Sequence, residues 1–191
     1  LQADYLVMHP GNALAESRQQ ALETVFESLR QAARGFRLNG LQILVENTSG
    51  QGSALGAELE EIGELIRALP ELTLGVCLDT AHLFAAGYDL RRPDDVEETL
   101  ARVHTWIGLE RVKVIHLNDS RSPLGSRIDR HQHIGRGRIG MAAFRTLLHH
   151  PTLAGKTFIL ETPLEREGDD RRNLDTVRRL AGHRRKGARP H

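Results

Sequence analysis

The chain has one cysteine, few aromatic residues and no long apolar run. Because Cys77 has no second cysteine to pair with, an intrachain disulfide framework is excluded and a reducing compartment is expected. Aromatic residues make up only 4% of the 191 residues, and no apolar run approaches the length that spans a bilayer. The first residues, LQAD, have none of the features of a signal peptide. The apolar residues instead recur in regular short blocks, which indicates an ordinary globular domain without a membrane partner.

The net charge of +1 conceals two unlike parts. Residues 1–109 carry 8 Lys and Arg against 16 Asp and Glu, whereas residues 110–191 carry 18 against 9. A basic second part suits a polyanionic ligand such as nucleic acid. Arginines that simply solvate helix surfaces account for part of the same excess.

Five short apolar runs predict the secondary structure, at residues 5–8, 41–45, 74–78, 112–115 and 157–160. Runs of this length are typical of strands buried on both faces of a parallel sheet. Apolar stripes at helical spacing lie between them, over residues 55–69 and 96–107 for example, and another closes the chain at 174–180. The alternation predicts an α/β protein of five strand–helix units. We expect one domain over residues 1–182 and a loose basic tail over 183–191.

Metal-binding side chains occur at or next to the end of every predicted strand: His9, Glu46, Asp79, His116 and Glu161. Three further candidates lie in the loops that follow: His82, Asp129 and His131. Since the carboxyl ends of parallel strands share one rim, these residues should converge. Any one of them alone would more often be a structural residue. Their occurrence at all five strands favours a metal site, because so many buried carboxylates require cations.

The residue types narrow the choice of metal ion. Imidazole and carboxylate without thiolate suit Zn²⁺, Mn²⁺ or Fe²⁺ better than Mg²⁺ or Ca²⁺. Eight ligands exceed what one ion can use, so we expect a cluster of two or three ions, which suits hydrolysis of a phosphodiester. Of the other histidines, His133 is a weaker candidate for a supporting role. Three are expected on the surface: His104, His149 and His150.

Four long motifs resemble the endonuclease IV family of zinc-dependent apurinic/apyrimidinic endonucleases. They are ENTSGQG at residues 46–52, DTAHLFAAGYD at 79–89, HLNDS at 116–120, and DRH at 129–131 followed by IGRG at 134–137. The match extends in order from about Tyr5 to Pro163. The resemblance implies a TIM (β/α)8-type barrel, present here as a partial barrel of about five βα units. The five units look like the last five of the barrel's eight, so the first three are missing from this sequence.

The resemblance also implies a trinuclear zinc site, for which Mn or Fe could substitute. His9 would bind the first ion, and Glu46 would bridge the first and the second. The other implied ligands are Asp79, His116 and Glu161 for the second ion, and His82, Asp129 and His131 for the third. Glu46 and Glu161 are the expected catalytic residues.

The implied activity is DNA repair. Hydrolysis 5′ to an abasic site in double-stranded DNA would leave a 3′-hydroxyl and a 5′-deoxyribose phosphate, and blocked 3′ ends could also be trimmed. The implied protein is a monomer of the cytoplasm, associated with the nucleoid. Four arginines flank the metal-binding motifs as candidate contacts to DNA phosphates: Arg121, Arg127, Arg130 and Arg136.

Two alternatives remain open. A sugar isomerase or epimerase of the xylose-isomerase-like barrels would use four residues of the same set, Glu46, Asp79, His116 and Glu161, with one or two ions. The histidines and the aspartate of the third ion argue against that interpretation. The other alternative is a truncated and inactive barrel, because a parallel sheet that is not closed has two exposed edges.

Overall fold

The computed structural model describes residues 3–35 and 40–182. The predicted basic tail at 183–191 lies outside the described residues. Within them, one sheet contains five strands: β1 (Tyr5–Met8), β2 (Gln42–Glu46), β3 (Gly75–Asp79), β4 (Val112–His116) and β7 (Thr157–Ile159). They are all parallel and lie in the order β1-β2-β3-β4-β7. The predicted α/β fold with a parallel sheet is confirmed.

The described helices follow the strands. They are α1 (Arg18–Ala33), α2 (Leu59–Ala68), α3 (Thr80–Ala86), α4 (Pro93–Trp106), α5 (Met141–His149) and α6 (Asp169–Leu180). Local sequence explains where several begin. Ser17 and Gln20 form a capping box at the start of α1, and Pro93 occupies the first turn of α4. Asp79 caps α3 by accepting a hydrogen bond from the His82 amide at 2.7 Å.

The three central strands of the sheet are buried on both faces, whereas the edge strands β1 and β7 are partly exposed, against the expectation for all five. On the helix side, Val45, Val76 and Ile115 pack into the main core together with Phe84 and Phe144. On the opposite face the strands contribute a smaller apolar cluster of Leu44, Cys77 and Val114, with Val7 packed against it. Burial on both faces is the physical reason that these strands are continuous apolar runs in the sequence.

The observed strands differ from the predicted ones by one residue at several ends. β2, β3 and β4 each extend far enough to include the polar residue that follows the apolar run, namely Glu46, Asp79 and His116. The predicted helical stripe beginning at Leu55 was too long, because α2 begins at Leu59 and Leu55 packs on the α1 side instead. Leu174, which begins the predicted apolar stripe of the last helix, lies on α6 but is exposed.

A short antiparallel hairpin was not predicted. It pairs β5 (Asp119–Ser120) with β6 (His131–Gln132) and shapes the long polar loop after β4. The hairpin is only two residues long on each side, so it has no periodic pattern from which it could be recognised. It positions His131 near the ends of the sheet strands, which matters for the site described next.

Core packing around α5 can be tested by truncating Phe144, whose side chain is fully buried. We expect Phe144→Ala to lower the free energy of unfolding by about 3–5 kcal/mol, because it removes apolar contacts and leaves a cavity. Leu164→Ala is the matched control, since Leu164 is 75% exposed and should change stability by less than about 0.5 kcal/mol. Urea unfolding followed by circular dichroism measures both, and equal effects would contradict the packing.

Candidate metal centre

The strand ends bring five of the eight candidate ligands to one rim of the sheet. Glu46, Asp79 and His116 are the last residues of β2, β3 and β4. His9 follows β1 by one residue, and Glu161 follows β7 by two. Asp79 and His116 are direct partners in the sheet register. The parallel register therefore determines which of these side chains are neighbours.

Loop and helix residues bring the other three to the same rim. His82 lies in the first turn of α3, and His131 begins β6. Asp129 is held by a hydrogen bond from its amide to the Gln51 side chain at 2.8 Å. A cavity of about 370 Å³ opens over the rim, and seven of the candidates line it: His9, Glu46, His82, His116, Asp129, His131 and Glu161.

The largest ligand group comprises four residues, Glu46, Asp79, His116 and Glu161, with one donor atom from each within 4.8 Å of all the others. His116 Nδ1 lies 2.9 Å from Glu46 Oε1 and 3.1 Å from Glu161 Oε2. Three carboxylates around one imidazole nitrogen form a set that a divalent cation would stabilise.

A second group comprises Asp79, His82 and His131, with Asp129 beside it. His82 Nε2 lies 3.1 Å from Asp129 Oδ2. His131 Nε2 is buried and has no hydrogen-bond partner within the described part of the chain. Its nearest carboxylate oxygens are Asp129 Oδ1 at 3.5 Å and Asp79 Oδ2 at 3.7 Å, beyond good hydrogen-bond distance. An unsatisfied imidazole nitrogen between two carboxylates fits a metal ion.

A third group comprises His9, Glu46 and His82. His9 Nε2 lies 3.3 Å from Glu46 Oε2, while the other oxygen of Glu46 faces His116. Glu46 therefore belongs to two of these three groups, as do Asp79 and His82, and a further set joins Glu46 to Cys77 and His116. Shared members are what a cluster of neighbouring ions requires.

Backbone carbonyls set the ring nitrogen that two histidines present to the site. His82 Nδ1 lies 2.9 Å from the Asn47 carbonyl, and His131 Nδ1 lies 2.9 Å from the Glu161 carbonyl. Since a carbonyl can only accept, each Nδ1 carries the proton that it donates. Nε2 is then left to face the carboxylates, which is the usual arrangement of a metal-binding histidine.

The pKa values of Glu46 and His116 are shifted by their contacts with neighbouring side chains. Burial raises the pKa of Glu46, but hydrogen bonds from His116 and His9 outweigh burial and lower the pKa to about 2. Burial lowers the pKa of His116, but hydrogen bonds with Cys77 and Glu161 and the neighbouring carboxylate raise it to about 12. The ionised carboxylate thus holds the imidazole in its protonated form.

The same balance holds at the second group. Burial lowers the pKa of His82, but the charge of Asp79 and the hydrogen bond with Asp129 raise it to about 9. Protons on imidazoles therefore compensate the charge of the carboxylates. Burial raises the pKa of Cys77, so its thiol stays neutral and is a poor ligand although it lies beside Glu46.

Two asparagines that were not singled out in the sequence support Asp79, which is fully buried. Asn118 donates from Nδ2 to Asp79 Oδ2 at 2.6 Å and accepts from the Glu161 amide at 2.8 Å. Asn47 accepts from the Asp79 amide at 2.7 Å and donates to its carbonyl at 3.2 Å. Their position one or two residues after Glu46 and His116 was the available signal.

Asp119 holds the glycine-rich loop and was also missed. Its carboxylate accepts backbone N–H bonds from Gly135 and Gly137 at 2.9 Å and from Ile139 at 3.0 Å. A side chain at Gly137 would collide with this carboxylate and with the Ser120 carbonyl. Glycine at position 137 therefore allows the loop backbone to approach Asp119 closely.

The four candidate arginines differ in their pairing. Arg121 forms an ion pair with Glu165, and Arg127 pairs with Glu58 at 2.6 Å. Arg130 donates to the Asp129 carbonyl at 2.5 Å. Arg136 has no ion pair within residues 3–35 and 40–182. Phosphate binding by these four remains a prediction, and for Arg121 and Arg127 it would require exchange of an existing partner.

The remaining histidines lie outside the metal groups. His104 and His149 are exposed, as expected. His150 was expected on the surface but is buried, with Nε2 3.0 Å from Glu97 Oε1. It directly follows the last residue of α5 and has an extended backbone conformation, so helical spacing does not predict the direction of its side chain. His133 contacts Asn173 at 3.0 Å and none of the ligands.

The sheet is parallel, and imidazole and carboxylate side chains lie at the carboxyl ends of its strands. These features are typical of βα barrels with a metal site at that rim. Within that class, the chain belongs to the xylose isomerase-like TIM barrel family, whose model matches residues 1–182.

Individual relatives agree with the resemblance to endonuclease IV. The chain is 46% identical over 183 residues to a probable endonuclease 4 from Solibacter usitatus, covering 94% of this chain and 63% of the relative. It matches the crystal structure of endonuclease IV from Thermus thermophilus at 40% identity and a TM-score of 0.78, covering 95% of this chain and 63% of that one.

A D-tagatose 3-epimerase-like protein matches at 20% identity and a TM-score of 0.70, covering 94% of this chain and 62% of that one, and shows the fold alone. The chain spans a little under two thirds of the length of these relatives.

No helix among the described residues is long and apolar enough to cross a membrane.

Metal content tests the second group. We expect His131→Ala to reduce the zinc retained after gel filtration by about one ion per chain, because the free Nε2 is lost. His104→Ala is the matched control, since His104 lies on an exposed helix face. Elemental analysis by mass spectrometry measures both, with circular dichroism to verify folding. Equal zinc content in the two variants would contradict the assignment.

Zinc binding should release protons. His82 and His116, with pKa values raised to about 9 and about 12, are protonated at neutral pH and must lose protons to bind a metal. Zinc affinity should therefore increase as the pH rises from about 6 to about 9. Calorimetry in buffers of different ionisation enthalpy counts the protons released. A binding enthalpy independent of the buffer would exclude this coupling.

Proposed function

We propose that the natural protein to which this chain belongs hydrolyses the DNA phosphodiester 5′ to abasic sites. The observation that carries the proposal is the group formed by Asp79, His82 and His131 with Asp129 beside it, because it is additional to the four-residue group. A barrel that isomerises sugars needs one or two ions, whereas a third group fits phosphodiester hydrolysis. Similarity to proteins named endonuclease 4 supports the same conclusion.

Eight residues would hold three zinc ions, with Mn or Fe as possible substitutes: His9, Glu46, Asp79, His82, His116, Asp129, His131 and Glu161. Divalent ions at such a site lower the pKa of water and neutralise charge on a phosphate. The protein's own part is to fix the donor atoms in place. Asn118 and Asn47 hold Asp79, and backbone carbonyls hold the rings of His82 and His131.

Glu46 and Glu161 have different tasks in the proposed reaction. The Glu46 side chain is only 6% exposed and turns one oxygen to His116 and the other to His9, so it links two groups. The Glu161 side chain is 48% exposed, so it is the carboxylate that can approach a bound phosphate and a nearby water. Water supplies its hydroxyl to phosphorus and its proton to the 3′ oxygen as that bond breaks. The products are a 3′-hydroxyl and a 5′-deoxyribose phosphate.

The same site would also trim blocked 3′ ends, since the bond broken there is again a phosphoester next to a 3′ oxygen. An abasic nucleotide must leave the stack to reach a rim cavity of this kind.

Arg130 and Arg136 are the first arginines available to DNA phosphates, because neither is paired with a carboxylate among the described residues. With duplex DNA as its substrate, the protein would act as a monomer at the nucleoid in the cytoplasm.

Sugar isomerisation is the second candidate, favoured by one observation. The four-residue group by itself is a complete site for one metal ion that could bind a ketose or an aldose. Metal titration separates the two functions. Saturation at about one ion per complete chain would favour the isomerase, whereas saturation at about three ions would favour the nuclease.

Incision of DNA tests the proposed function. In the full natural protein loaded with zinc, Glu161→Gln should reduce incision of a duplex containing a tetrahydrofuran abasic analogue by at least about 100-fold. The reason is that the exposed carboxylate of the four-residue group is lost. Glu98→Gln, on the exposed face of α4, is the control and should cut at the wild-type rate.

Denaturing gels measure the rate, and end-group analysis identifies the 3′-hydroxyl. A zinc-loaded wild-type protein that leaves the abasic duplex intact would refute the proposed function. Wild-type incision by Glu161→Gln would refute the role of Glu161 alone.

A further inference from the structure

A cavity of about 560 Å³ lies beside the candidate metal centre, is lined by four arginines and three carboxylates, and contains none of the candidate ligands. Four arginines line it from separate parts of the chain. Arg121 follows β5, Arg136 lies in the loop after β6, Arg166 lies in the loop after β7, and Arg172 is in α6. Arginines gathered from so many elements are brought together only by the fold.

Two of these arginines have no fixed partner. Arg121 pairs with Glu165, and Arg172 pairs with Asp169 at 2.6 Å. Arg136 and Arg166 have no side-chain ion pair within the described part of the chain. Glu167 also lines the cavity and has no ion pair among the described residues either. The lining therefore holds four arginines against three carboxylates, an excess of one positive charge. This excess attracts an anion, and the planar donors of Arg136 and Arg166 suit the oxygens of a phosphate.

The walls of this cavity are held in place before any ligand arrives. Asn173 of α6 accepts a hydrogen bond from the Ile134 amide at 3.0 Å and contacts His133 Nδ1 at 3.0 Å. Asp119 holds the backbone of the loop that carries Arg136. A preorganised wall reduces the entropy that binding would otherwise cost.

The cavity and the metal centre share two walls. In β6, His131 belongs to the metal centre and Gln132 lines the cavity, as neighbouring residues of a strand face opposite sides. After β7, Glu161 belongs to the metal centre and Glu165 lines the cavity. Four residues span at most about 14 Å, and each DNA strand has a phosphate roughly every 3.4 Å along the helix axis. One strand can therefore reach both places within a few nucleotides.

We propose that this cavity binds a backbone phosphate of the same DNA strand that is cut, a few nucleotides from the scissile bond. Arg136 and Arg166 supply the contacts, with Gln132 and Arg172 beside them. The inference rests on the proposed function for the identity of the strand. It adds Arg166 and Arg172 to the DNA-binding residues, neither of which belongs to the metal-binding motifs.

Binding to DNA, measured separately from incision, tests this site. In the full natural protein, Arg136→Ala and Arg166→Ala should each weaken binding of an abasic-analogue duplex by about tenfold and reduce the slope of log K against log salt by about one. Arg166→Lys should restore part of the loss. Arg145→Ala, an exposed arginine of α5 away from the cavity, is the matched control and should bind like the wild type. Fluorescence anisotropy in a salt series measures all five proteins.

A scan with single methylphosphonates, which remove the charge of one phosphate at a time, locates the contact. Wild-type protein should lose affinity at one position within about four nucleotides of the abasic analogue, and Arg166→Ala should be insensitive at that position. Equal sensitivity of wild type and Arg166→Ala at every position would overturn the inference, as would wild-type affinity in both alanine variants. If the scan succeeds and the wild type does not incise, the proposed function fails while the phosphate site stands.

Discussion

Mutual repulsion among clustered carboxylates, two of them buried, is the constraint on which this structure depends. Glu46, Asp79 and Glu161 come within one ligand group although Asp79 is completely shielded from water. Imidazolium groups stabilise their charges, and hydrogen bonds with Cys77, Glu161 and Glu46 raise the pKa of His116 to about 12. Such a cluster is unfavourable for folding unless cations neutralise it. The end of every strand in the sheet thus contributes to a site whose first requirement is positive charge.

Hydrogen bonds behind the ligands turn this cluster into a defined site. The Asn118 side chain forms hydrogen bonds with the Asp79 carboxylate and the Glu161 amide, so one residue connects the ends of two strands. The carboxylate of the next residue, Asp119, accepts hydrogen bonds from backbone amides of the glycine-rich loop. The HLNDS motif therefore supports the candidate metal centre through Asn118 and the glycine-rich loop through Asp119. Such hydrogen bonds fix the orientation of the candidate ligands.

The fold was largely predictable because strands buried on both faces are apolar runs of distinctive length. Their ends were displaced by one residue, since Glu46, Asp79 and His116 are polar and yet continue the hydrogen-bond ladder. The hairpin of β5 and β6 could not be predicted, because its two-residue strands are selected by pairing across the loop and not by local pattern. The burial of His150 against Glu97 was missed for the same reason, as the two residues are 53 positions apart.

The sequence by itself determined the chemistry of the site, because residue type decides ligand preference and the strand ends decide which residues can meet. It also indicated the family, through four motifs in order. Only the tertiary structure decided how the eight candidates divide into overlapping groups and which ring nitrogen each histidine presents. It also decided which arginines already have partners. These properties depend on contacts such as that of Glu46 with His116, 70 residues apart, and no local pattern encodes a distance of that kind.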